Sequence, residues 1–218
     1  MRKQVKMSVL KRILAVVIAV AVAVSMLTIP DAEVSAATGK VKSVAVTNLP
    51  AKQLTLKKGK SFTLKTKVSV SGKKVSKAVT YKTSNKKVAT VNAKGKITAK
   101  KNGKAVITVI SKANKKKTVK IKVTVGTPVT SIKLSKTKAS LTVGKTLKLK
   151  ATVAPKKASS KSVVWKTSNK KIATVSANGV VKGIKAGTVK ITALAKDGSG
   201  KKKVCKVTVK KKQEVPAV

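Results

Sequence analysis

Tyr81–Thr108, YKTSNKKVATVNAKGKITAKKNGKAVIT, and Trp165–Thr192, WKTSNKKIATVSANGVVKGIKAGTVKIT, are two versions of one pattern, offset by 84 residues without a gap. Fifteen of the 28 paired positions are identical, where a composition this biased gives roughly one in ten by chance. An ungapped repeat of that length is a whole structural unit rather than a short motif. In a chain of 218 residues the period predicts two small domains of about 85 residues each.

Outward from the repeat, the pattern is that of short strands. Apolar residues are 42% of the chain and are mostly Val, Ile, Leu and Ala, with single Phe, Tyr and Trp residues, a balance that favours sheet. Val119–Val125, VKIKVTV, and Leu147–Val153, LKLKATV, alternate apolar with lysine or threonine, as a strand with one dry and one wet face requires. Strands are expected near 41–47, 53–57, 60–69, 78–83, 87–91, 95–99, 104–111 and 117–125, and the plan recurs from about Thr130. Turn residues every 8–12 positions, with no helical period, predict an all-β fold of two tandem β-sandwiches. Gly126-Thr-Pro128 is the linker, short and proline-stiffened, so the domains are expected end to end. The expected domains are 40–125 and 129–209, with a basic tail at 210–218.

Residues 1–36 have the plan of a secretory signal: a cationic start, MRKQVKMSVLKR, an apolar run from Ile13 to Leu27, and small residues at Val34-Ser35-Ala36. Cleavage after Ala36 is expected, an uncleaved membrane anchor being the other reading of the apolar run. No stable membrane insertion is expected after cleavage, and no sortase-type wall attachment. The protein is therefore expected to be secreted, extracellular or associated with the cell surface.

The charge is extreme, with 53 Lys+Arg against 4 Asp+Glu. Removing residues 1–36 takes away five basic and two acidic side chains, leaving 48 lysines against Asp197 and Glu214, a net charge of +46. Both arginines, Arg2 and Arg12, fall in the leader. Lysine is a hydrated point charge, whereas recognition of carboxylates, phosphates or guanine edges with defined geometry favours the guanidinium fork. Diffuse attraction to a polyanion, or solubility, fits lysine better.

The residues also resemble a known family. WKTSNKKIATVSANGVVKGIKAGTVKITA is similar to the signature of the bacterial immunoglobulin-like domain of group 2 (BIG2). Ile132-Lys-Leu134, Leu141-Thr-Val-Gly144, Leu147 and Thr152-Val-Ala-Pro155 fall where that family's pattern has them. The resemblance spans about 41–209, and the first unit departs from it with Tyr81 for tryptophan and Ser69-Val-Ser for the Ala-Pro pair. It implies two immunoglobulin-like sandwiches, usual in secreted or surface proteins of bacteria as spacers, adhesin modules or carbohydrate-associated modules.

Catalytic patterns find little support. No histidine is present, which removes the commonest general base and metal ligand. Asp197 and Glu214 are expected in a loop and a tail, so neither a glycosidase pair nor a calcium site is expected, and no cofactor is predicted. Ser84-Asn-Lys-Lys87 and Ser168-Asn-Lys-Lys171 match the Ser-x-x-Lys spacing of penicillin-recognising enzymes, but in turns of a lysine-dense chain where chance produces the match. Gly59-Lys-Ser61 and Gly144-Lys-Thr146 lack the earlier glycine of a P-loop and read as hairpin corners. Cys205 lies in an alternating run and reads as a buried strand residue before it reads as a reactive thiol.

Tyr81 and Trp165 occupy equivalent strand positions, where filling the core is favoured over a sugar-stacking platform. Gly95 and Gly179 are expected to supply a positive φ at a hairpin. The remaining functional feature is lysine: Lys86, Lys87, Lys170 and Lys171 in the repeated corner, and Lys115, Lys116, Lys117, Lys201, Lys202 and Lys203 in triplets expected at equivalent hairpins. These are the candidate contacts for anionic polysaccharides, teichoic acids or similar polyanions, against the alternative of a solubilising surface. A purely structural spacer and sequence-blind nucleic-acid binding are the competing functions; an enzyme is the weakest reading.

Overall fold

The computed structural model describes residues 39–212, so the expected leader, Glu214 and most of the expected tail lie outside the described residues. Eighteen strands occur in two equivalent sets. The first set is β1 (Lys40–Val46), β2 (Gln53–Leu56), β3 (Ser61–Thr63), β4 (Thr66–Ser71), β5 (Val79–Thr83), β6 (Ala89–Val91), β7 (Lys96–Ala99), β8 (Gly103–Ser111) and β9 (Thr118–Val125). The second is β10 (Ser131–Leu134), β11 (Lys138–Thr142), β12 (Thr146–Lys148), β13 (Ala151–Ala154), β14 (Val163–Thr167), β15 (Ala173–Val175), β16 (Val180–Gly183), β17 (Gly187–Ala195) and β18 (Lys202–Lys210). The last strand runs through Lys210, one residue into the stretch assigned to a tail.

Each set builds the same sandwich. A four-stranded sheet, β2-β9-β8-β5 in the first and β11-β18-β17-β14 in the second, has its first pair parallel and the others antiparallel. The opposing layer is made of a three-stranded sheet, β3-β7-β6 or β12-β16-β15, and a two-stranded one, β1-β4 or β10-β13.

The stretch expected as one strand over 60–69 is two. The chain leaves β7 after Thr63 and joins β1 from Thr66. Asn48 bridges the change, donating from Nδ2 to the Thr63 carbonyl at 2.9 Å and accepting the Lys65 N–H at 3.0 Å. Backbone groups that would be orphaned between two sheets are satisfied by that side chain.

Alternation decides what is inside. In β8 and β17 every second residue is buried, and Ile107 and Ile191 are fully so. Their partners across the sheet are Ile121 and Cys205, also fully buried. Cys205 thus stands where the first copy has isoleucine; burial pushes its thiol up, with nearby Lys136 pulling the other way. A fully buried aliphatic side chain of this kind contributes about 1.5–3 kcal/mol.

The two aromatic rings close against the glycines of the next hairpin. Gly95 and Gly179 have φ of 75° and 79°, and a Cβ built on Gly179 would lie 2.8 Å from Trp165 Cζ2 and 2.5 Å from the Leu149 carbonyl oxygen. The equivalent Cβ on Gly95 would lie 2.8 Å from the Tyr81 hydroxyl. Both rings are partly buried and pack on their cores with the other side chains of the sandwich.

Gly144 provides the comparison, having φ of 83° with nothing near its Cβ position. Gly144→Ala is expected to cost about 1–2 kcal/mol from backbone conformation alone. Gly179→Ala adds displacement of the ring and of the Leu149 carbonyl, so its loss should be at least about twice as large. Urea unfolding followed by fluorescence of Trp165, the single tryptophan, measures both; equal losses would show that the ring contact carries no stability.

Candidate functional site

Lysine covers both sandwiches. Every lysine among the described residues is exposed except Lys196, which is half-buried. Strand alternation sends the lysine stems outward while valine and isoleucine fill the interior.

The expected contact residues are all on the surface, but they do not form one site. Lys86, Lys87, Lys170 and Lys171 sit in the corners after β5 and β14. Register places those corners at the Gly103 and Gly187 ends of β8 and β17, whereas the β8–β9 and β17–β18 turns lie at the opposite ends. The two triplets are also not equivalent. Lys115–Lys117 all lie in the turn before β9, while Lys201 alone precedes β18 and Lys202 and Lys203 are within it. The turns have the same length, so Lys201 is the counterpart of Lys117.

The repeated TSNKK corner is occupied with its own turn. Thr83 and Thr167 hydroxyls donate to the carbonyls of Ala89 and Ala173, each at 2.9 Å. Ser84 Oγ accepts the Val106 N–H at 2.9 Å and Ser168 Oγ the Lys190 N–H at 3.0 Å, extending the sheet by one pair. Asn85 and Asn169 accept the N–H two residues on, at 3.0 and 2.9 Å, the Asx-turn geometry. Of the corner's side chains, those of the lysines alone take no part in these bonds.

Sequence reasoning missed two features. The first is a row of like charges. Register pairs Lys206 with both Lys138 and Lys190, so three exposed lysines from β11, β18 and β17 stand side by side on the outer face of the second copy. The equivalent row of the first copy is Gln53, Lys122 and Val106, and one step along it are Thr55, Thr124 and Lys104. These residues are far apart in sequence, and only their outward phase was legible.

The second is Asp197, the one acid among the described residues. It is 1% exposed, in the β17–β18 turn. Its Oδ2 accepts the Val129 N–H at 2.7 Å, its Oδ1 the Ser199 N–H at 3.0 Å, and its backbone carbonyl the Thr55 N–H of β2 at 2.7 Å. One residue thereby ties the last turn of the second copy to the linker and to the edge of the first copy. Gly198 beside it has φ of 77°, and a Cβ there would lie 2.8 Å from Leu49 Cδ2. A second tie runs between Thr127 and Ser159, which exchange a backbone bond at 2.8 Å and a bond to Ser159 Oγ at 2.9 Å.

Between the copies at this joint lies a crevice of about 490 Å³. Its floor is the outer face of β2, β9 and β8, its far wall Ser159 and Ser160 of the second copy. Lys104 and Lys122 project from the floor, with Ser84 and Gln53 at its margins.

Two copies of one immunoglobulin-like sandwich, joined head to tail, define the class. The model of the bacterial Ig-like domain (group 2) matches residues 40–121 and 128–211, and the chain belongs to that family. Among similar proteins, a 3-O-α-D-galactosyl-α-L-arabinofuranosidase of Bifidobacterium longum subsp. longum is 48% identical over 77 residues, 35% of this chain and 7% of that protein. A kappa-carrageenase of Pseudoalteromonas carrageenovora is 41% identical over 81 residues, 37% of this chain and 20% of the enzyme. An Ig-like virion protein of Serratia phage KSP90 is 43% identical over 82 residues, 37% of this chain and 31% of the protein. In each, the match spans less than a third of the relative's length. Among solved structures, domains 1–6 of the surface layer protein SbsC align with 20% identity and a TM-score of 0.35, over 82% of this chain and 29% of that one.

Asp197→Ala leaves the buried N–H of Val129 and the part-buried N–H of Ser199 without their acceptor, a loss of about 2–4 kcal/mol. Hydrogen exchange should then quicken at Val129, and also at Thr55, whose own acceptor is a main-chain carbonyl retained in the variant. Acceleration at Val129 and Ser199 with Thr55 unchanged would mean that the carboxylate does not hold the joint.

Proposed function

We propose that the protein is a secreted, non-enzymatic surface module that adheres to anionic polymers of the cell envelope or its surroundings through lysine. The observation that carries this reading is the separation of charge: 48 lysines follow residue 36, nearly all exposed, while the one acid among the described residues is spent on the joint. Mixed-sign surfaces suffice for solubility, so a surface of one sign favours an oppositely charged partner.

The comparisons support the accessory character. The stretches that match the arabinofuranosidase and the carrageenase are one domain long and small fractions of those enzymes. Occurrence of such domains in proteins named as glycosidases, and in a virion protein, fits action outside the cell beside polysaccharide. For nucleic acid the partners are poorer, since Phe62, Tyr81 and Trp165 all pack on the cores and leave no stacking stripe. A spacer is the second reading, favoured by the joint at Asp197, which suits a module that holds its neighbours apart.

Retention on immobilised heparin or wall polymer separates the two. For five or more charge contacts, affinity should fall by at least about 10³-fold between about 50 and 500 mM salt, and a polyanion other than DNA should compete as well as DNA of equal charge density. Absence of binding at low salt, or binding insensitive to salt, would leave the spacer.

A further inference from the structure

The crevice between the copies differs from the rest of the lysine surface in being concave and built from two domains, with Val106 and other apolar groups of the sheet between its polar side chains. Lys104 is paired in register with Thr124 and Lys122 with Val106, so the two lysines are diagonal neighbours on one sheet face, with Cβ atoms about 7 Å apart. Like charges at that spacing repel. The only carboxylate among the described residues is occupied by the N–H groups of Val129 and Ser199, so neither ammonium has a protein counter-ion among those residues.

Neutral hydrogen-bonding groups frame the pair. Ser84 Oγ and Ser159 Oγ each accept a backbone N–H, which leaves each hydroxyl proton to be donated outward. Gln53 offers an amide beside Lys122, and Ser160 completes the far wall. The wall is held by the bonds of Asp197 and Ser159, so the groups converge without a rearrangement. Two cations with hydroxyl and amide partners around a space of about 490 Å³ match one or two sugar units carrying an acid group.

We propose that this crevice is a discrete binding site for an anionic sugar unit, a carboxylate or sulfate ester on a polysaccharide, read by Lys104 and Lys122 with Ser84, Gln53, Ser159 and Ser160. The chemical class of the ligand rests on the polyanion reading above; the position of the site rests on the joint. The equivalent face of the second copy, with Lys138, Lys190 and Lys206 in a row, has more charge at that position but is an exposed sheet face.

The test is an NMR titration of the 15N-labelled protein with trigalacturonate, a sulfated galactose trisaccharide and neutral galactotriose. Saturable shifts are expected at the amides of Lys104, Val106, Lys122, Thr124, Ser159 and Ser160 with one or both acidic ligands, and which one distinguishes carboxylate from sulfate. The double variant Lys104→Gln/Lys122→Gln should weaken that binding at least about tenfold. Lys190→Gln/Lys206→Gln, which removes as much charge, should change it less than about twofold. Shifts spread over the lysines of both copies, equal loss in the two variants, equal binding of galactotriose, or no saturable shift would each overturn the site. The heparin column separates the two ideas: a protein retained by polymer but silent to trisaccharides keeps the polyanion reading and loses the crevice. One that binds an acidic trisaccharide without polymer retention does the reverse.

Discussion

The carboxylate of Asp197 receives two backbone N–H groups at 2.7 and 3.0 Å, while the carbonyl of the same residue receives a third from the neighbouring copy. In a chain with 48 lysines after residue 36, an ion pair is the obvious fate of an acid, yet this one is buried with main-chain donors. Removing a carboxylate from water costs several kcal/mol, and charge-assisted bonds to fixed amides offset that cost where a flexible surface ion pair gives about 0–1 kcal/mol. The linker between the last strand of one sandwich and the first of the next is short, so the bonds of Asp197, with the Thr127–Ser159 pair beside them, suffice to define the junction. The crevice with Lys104 and Lys122 exists because of that junction.

Charge constrains the fold in the opposite direction. Lysines facing one another across β18 from β11 and β17 raise the energy of the folded state, and the Debye length of about 8 Å at physiological salt screens only the longer separations. The fold accommodates this by keeping the ammonium groups in water and the stems over the sheet. Stability then has to come from aliphatic packing, in which Ile107, Ile121, Ile191 and Val207 are fully buried. A bound polyanion relieves the repulsion without altering the core, which links the stability of the module to the proposed function.

Much of the fold was legible because it is written in local alternation. VKIKVTV announced its dry face residue by residue, and the repeat at an offset of 84 identified two equivalent units. What alternation does not record is where a strand changes partner, so the break at Leu64-Lys65, organised by a bond to Asn48, was read as one continuous strand. The lysine triplets were aligned by composition, and the equal turn lengths before β9 and β18 put them two residues out of step. Cross-strand rows such as Lys138, Lys206 and Lys190 depend on register, which no single strand encodes. Asp197 was legible as an oddity, a lone acid in the turn DGSG, but its partners Val129 and Thr55 lie 68 and 142 residues away.

A joint held by Asp197 and by the Thr127–Ser159 bonds should make the two sandwiches tumble as a single hydrodynamic body, and 15N NMR relaxation addresses this directly. Amides in the strands of both copies should report one common rotational correlation time, that of the joined pair. Two distinct and shorter correlation times, each that of a single sandwich, would contradict it.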